Sequence, residues 1–117
     1  MSNLKEPIVI TFLATNFSAN DNILVYPSAH TFRFNGDFYG SYGYITGTPA
    51  ADIRYYVRNE TQNTVIGSID ILTTKEFVFN TEYSASVGVL AGDIITIASP
   101  AAMSPAYRFG ISLVGER

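Results

Sequence analysis

The side chains most able to do chemistry in this chain are few and scattered. His30 is the only histidine. General acid–base work needs a second titratable group within hydrogen-bond reach, and a metal site needs three or four donors. Only Asp37 stands near His30 in sequence, so His30 reads as a surface-loop residue. Asp21, Asp37, Asp52, Asp70 and Asp93 could suggest calcium, but a calcium loop places its oxygen ligands at alternate positions of one short segment. Asn35-Gly36-Asp37 is the nearest approach and is too sparse, so turn and cap roles are assigned to all five. Gly40-Ser41-Tyr42-Gly43 falls one residue short of a nucleophile elbow and lacks its strand-to-helix setting. Glu76, Glu82 and Asp70 could serve as glycosidase carboxylates only if the fold gathered them. The expectation is a protein that is not an enzyme and uses no metal or cofactor.

The stretch Asn35 to Gly47 is of a different kind. Gly36, Gly40, Gly43 and Gly47 interleave with Phe38, Tyr39, Tyr42 and Tyr44. Glycine permits tight turns, and tyrosine rings supply large amphipathic contact area. Such rings can stack on sugars, seal a subunit contact or pack on the core. Asp37, Phe38, Tyr39, Tyr42 and Tyr44 are therefore the candidate binding or interface residues.

The elements that must position them are strands. At 117 residues the chain is one domain, and 47% hydrophobic with 15% charged residues excludes disorder. A net charge of −3 gives no basic footprint for nucleic acid. The absence of cysteine excludes disulfides and thiolate metal sites. No stretch approaches the roughly 20 apolar residues of a membrane span, and Ile8 to Leu13 is too short for a secretory core. The chain is thus expected to be soluble, made without export, and not inserted in a membrane.

The centre of the pattern is Asp52 to Leu72, two strands joined by the polar turn Asn59 to Asn63. Ile53, Tyr55 and Val57 alternate with Arg54, Tyr56 and Arg58, and Val65, Ile69 and Ile71 are assigned one face of the second strand. Further strands are read at Ile8–Leu13, Ile23–Tyr26, Thr31–Phe34, Glu76–Asn80, Ile94–Ser99 and Tyr107–Val114. Ile8–Leu13 is apolar on both faces, which suits a sandwich core or a subunit interface. Thr81 to Val89 reads as a loop or irregular edge, and Pro100 to Pro105 as a link. No window carries a helical apolar period. The prediction is an all-β fold: a single antiparallel β-sandwich, jelly-roll-like, of about eight strands. It spans residues 7–117 behind a flexible arm of residues 1–6. Tyr55, Val57, Ile69, Ile71, Phe77, Phe79, Ile95, Ile97, Phe109 and Ile111 are expected in the core.

From the hairpin onward the chain resembles a small β-sandwich module of tailed-bacteriophage virion structural proteins. The resemblance rests on an ordered set over about residues 52–117. It comprises Thr64-Val65-Ile66-Gly67-Ser68-Ile69-Asp70-Ile71, then Glu76-Phe77-Val78-Phe79, then Ala91-Gly92-Asp93-Ile94-Ile95-Thr96-Ile97-Ala98-Ser99-Pro100, and last Ile111-Ser112-Leu113-Val114-Gly115-Glu116-Arg117. A looser echo lies in Ile8–Asn35, and the aromatic crowding of Phe38–Tyr44 departs from the pattern. The resemblance implies a virion protein of the tail, fibre or head-decoration type, synthesised in the host cytoplasm and released by lysis. Its implied partners are further copies of itself, a trimer first, and other virion proteins. A host-surface glycan is a further possible partner. The alternative reading is a carbohydrate-binding module of a cellular protein.

Overall fold

The period-two stretches become strands in the computed structural model, which describes residues 6–14, 19–49, 51–100 and 108–117. Among the described residues there are ten strands: β1 (Pro7–Ala14), β2 (Asn22–Pro27), β3 (Phe32–Phe34), β4 (Tyr42–Ile45), β5 (Ile53–Asn59), β6 (Thr64–Ile71), β7 (Phe77–Thr81), β8 (Val87–Val89), β9 (Ile94–Ala98) and β10 (Phe109–Glu116). They pair antiparallel in two five-stranded sheets. Sheet A runs β1-β10-β3-β8, and β4 pairs β10 on the same side as β3; sheet B runs β2-β9-β5-β6-β7. The connections from β1 to β2, β2 to β3, β4 to β5 and β7 through β10 each change sheet, as in a jelly roll. The molecule is an antiparallel β-sandwich.

Two strands exceed the expected eight. β4 lies inside the glycine- and tyrosine-rich stretch, and β8 inside the segment read as loop or irregular edge. Each is only three or four residues long, too short for alternation to register. The link beyond Pro100 and Tyr107 falls outside the described residues, as does most of the N-terminal arm. Glu6 is held in place: its carbonyl accepts from the Arg117 amide at 2.8 Å, and its carboxylate meets Arg117 Nη1 at 2.7 Å.

Eight of the ten expected core residues are buried, with Phe77 and Phe79 only half-buried against the cluster. Both sit on β7, the edge strand of sheet B, where one flank stays open. A chain of edge-to-face rings runs through the interior, from Phe32 to Phe34 and on to Phe38, each step 5.0 Å between centroids. Such geometry favours aromatic pairs beyond their area burial. In the central hairpin Val57 pairs Gly67 but Arg58 pairs Val65, so Ile66 is an extra residue. This bulge slips the period by one. It buries Ile66 in the place assigned to Val65, which is half-buried.

Candidate binding face

The outer face of sheet A gathers two of the four rings of the aromatic stretch, Tyr42 and Tyr44. Along β4, Gly43 and Ile45 face inward while Tyr42 and Tyr44 face out. Gly43 is required here: a Cβ at that position would overlap Cδ2 of Phe77, whose ring fills the space. β10 flanks β4, with Tyr42 opposite Ser112 and Tyr44 opposite Gly110. On its other flank β10 pairs β1, with Thr11 opposite Ser112 and Leu13 opposite Gly110. Two cross-strand rows result, Leu13–Gly110–Tyr44 and Thr11–Ser112–Tyr42. Because Gly110 has no side chain, the first row is a trough walled by Leu13 and Tyr44. The trough is open and about 730 Å³ in volume, within the roughly 300–1,000 Å³ of small-ligand sites. Hydroxyls of Thr11 and Ser112 pair at 3.0 Å beside it, and none of its lining residues is charged.

The five sequence-designated residues separate. Tyr39, Tyr42 and Tyr44 are 80%, 79% and 73% exposed, whereas Phe38 is 1% exposed. Phe38 is therefore core, not surface. Asp37 and Phe38 both adopt left-handed backbone, φ 53° and 52°, and this turns the ring in against Phe34 and Phe79. Asp37 is a structural clasp: its amide donates to Thr81 Oγ1 at 2.7 Å, and its Oδ1 accepts from the Thr81 amide at 3.1 Å. One of its two oxygens is thus committed. Tyr39 follows in the turn, and Ser41 ties that turn down, its Oγ accepting from the Val114 amide at 3.0 Å. This contact falls between the stretches of β10 that pair with β4 and with β3.

β1 adds residues to the face that were not designated. Val9 and Leu13 are exposed beside Thr11, while Ile10 and Ala14 are buried. The sequence signal was the doubly apolar Ile8–Leu13. What it could not show is that β1 lies in a two-layer sandwich, which covers only one of its faces. On sheet B, Tyr56 is half-exposed between Arg54 and Arg58 in a smaller groove of about 370 Å³. Arg54 is held by Asp70 through Nε–Oδ1 at 2.7 Å and Nη2–Oδ2 at 3.0 Å. The carboxylate, and secondarily the Tyr56 hydroxyl, raises the guanidinium pKa. Asp70 is therefore an ion-pair partner within a strand, not the turn residue expected.

The remaining acidic groups are structural or dispersed. Asp52 Oδ1 accepts from the Thr73 amide at 2.8 Å. Asp93 is buried, and its Oδ2 accepts from Asn59 Nδ2 at 2.8 Å and from the Leu90 amide at 3.0 Å, while Oδ1 accepts from Gln62 Nε2 at 3.3 Å. These bonds hold its pKa below the ordinary value, the Asn59 bond contributing most. Glu76 and Glu82 bracket the whole of β7. Six residue steps of extended chain separate them by about 20 Å, too far for a glycosidase pair at roughly 5–9.5 Å. Among the described residues no three His, Cys, Asp or Glu side chains come together as a metal site. No family model, curated protein or solved structure matches the chain.

Proposed function

We propose that the chain is a non-enzymatic attachment module whose working surface is the outer face of sheet A. The observation that carries the reading is the pair of outward tyrosines on β4 facing Thr11 and exposed Leu13 across an uncharged, hydroxyl-bearing floor. Rings with one apolar face and a polar tip serve both sugars and protein partners. The ordered strand motifs support placing this module in a bacteriophage virion, in the tail, a fibre or a head decoration. There it would hold neighbouring virion proteins or a host-surface glycan, using Tyr39, Tyr42 and Tyr44.

A phage carrying Tyr39→Ala, Tyr42→Ala and Tyr44→Ala together separates the two roles. Normal incorporation into particles with lost adsorption to cells supports the glycan role. Loss of incorporation supports the structural one. If neither changes, the tyrosine face is not the working surface. A second reading, a carbohydrate-binding module of a cellular protein, is favoured by the uncharged trough over Gly110, which suits a neutral sugar. Glycan binding by the isolated domain, absent from any particle, would select it.

A further inference from the structure

β1 leaves one row of main-chain groups open. Arg117 N donates to Glu6 O, which makes 6 and 117 a hydrogen-bonded pair of the antiparallel ladder. By the alternation of such ladders, residues 8, 10, 12 and 14 direct their amide and carbonyl groups toward β10. Val9, Thr11 and Leu13 direct theirs away, and among the described residues no strand pairs that side. Natural edges are blunted by shortness, charge, proline or a bulge. β4, β7 and β8 are short, and β2 has a register shift between Asn22 and Leu24 and ends in Pro27. β1 carries one such device, Pro7 at its start, and none from Ile8 to Ala14.

We propose that β1 pairs antiparallel with β1 of a second copy about a two-fold axis at Thr11, joining two A sheets into one. In this register Thr11 faces the partner copy's Thr11, and Val9 faces the partner copy's Leu13 in both directions. Six main-chain hydrogen bonds form, using every open group of Val9, Thr11 and Leu13. The apolar side chains that lie exposed on each copy become cross-strand neighbours, a favourable pairing. Charge does not oppose this orientation: no charged residue lies within β1. The pairing is isologous, so it closes at two copies. It departs from the trimer that the resemblance implies, and it does not rest on the attachment reading, because its readout is mass in solution.

The contact is small beside the roughly 800 Å² per partner of tight complexes, so association in the micromolar range is expected. Sedimentation equilibrium of the full chain should show a monomer–dimer equilibrium. Thr11→Lys, which sets two like charges opposite each other, should weaken it at least tenfold while thermal melting shows the fold intact. A positive test uses Thr11→Cys in this cysteine-free chain. A hydrogen-bonded pair on the axis sets Cα atoms about 5.5 Å apart, within the usual disulfide span. Thr11→Cys should form a disulfide dimer at least tenfold faster than Val25→Cys, which is exposed on sheet B. A strict monomer to millimolar concentration, a trimer unaffected by Thr11→Lys, or equal oxidation rates for the two cysteine variants would each overturn the proposal.

Discussion

Burial and hydrogen bonding set what individual residues can contribute. Phe109 is fully buried, with its ring 5.3 Å from that of Tyr55 and 6.4 Å from that of Phe77. Phe109→Ala should lower stability by about 3–5 kcal/mol in urea melts; a loss below about 1 kcal/mol would remove it from the core. Asp93 links the Ala91-Gly92 turn to the end of β5 through Asn59. Its folded pKa lies below the ordinary 3.8, so the unfolded chain takes up the proton first as pH falls. The stabilisation is fully present above the ordinary value and is lost as pH drops through the lower folded one. Unfolding free energies measured from pH 7 to pH 2 should fall in that acid window, and Asp93→Asn should flatten the fall. An unchanged slope in the variant would show that other carboxylates carry it. The aspartate roles were only partly legible: Asp52 and Asp93 are turn acceptors as their type suggests, but Asp70 finds Arg54 through cross-strand register, which no local spacing reveals.

At the scale of elements, β4 is the sharpest case of sequence dictating presentation. Tyrosine alternates with glycine, and glycine takes the inward position because the Phe77 ring already occupies it. Gly43→Ala should displace that ring and cost at least 1 kcal/mol, since overpacking a filled core costs about 1–3 kcal/mol. Gly110→Ala is the contrasting change: its Cβ would meet Phe12 O at 3.6 Å and Leu13 Cδ1 at 3.7 Å, ordinary contacts. It should leave the melting temperature nearly unchanged while filling the trough. Equal destabilisation by both would contradict this assignment of faces. Strands with clean alternation, such as β5 and β10, could be read directly. β4, β8 and the bulge at Ile66 could not, because three or four residues, or a period that slips by one, leave no pattern to follow. Phe38 was misplaced for a related reason: nothing in a phenylalanine announces left-handed backbone.

For the whole molecule, the two sheets differ in what they show to the outside. Sheet B presents Arg54 in a two-bond pair with Asp70, and Arg58 with Glu60 at 3.4 Å; the second pair is exposed on both sides and contributes little to stability. Sheet A presents Val9, Leu13, Tyr42 and Tyr44, with the unprotected edge beside them. Sheet B also exposes Val25, Tyr56, Val78 and Ile94, but these stand among its ion pairs, whereas the apolar groups of sheet A are gathered on β1 and β4 around a trough with no charged lining residue. The sequence carried half of this asymmetry, in the tyrosines and the doubly apolar Ile8–Leu13. The other half depends on β1 and β4 flanking the same strand from opposite sides, which only the long-range pairing of residues a hundred positions apart brings about.

That pairing has a topological consequence. Glu6 and Arg117 are clasped side by side, so the polypeptide path from one to the other is nearly a ring. A bridge of a few residues between them would close it without new geometry, and the ring could then be reopened at an exposed turn such as Thr73–Lys75. Folds in which two distant stretches meet at the surface tolerate such rewiring. Here β1 would then run directly on from β10, making the edge strand the second arm of a hairpin. The same meeting point offers a place where the whole sandwich can be spliced into a host chain, both connections leaving from one corner and the tyrosine face left clear.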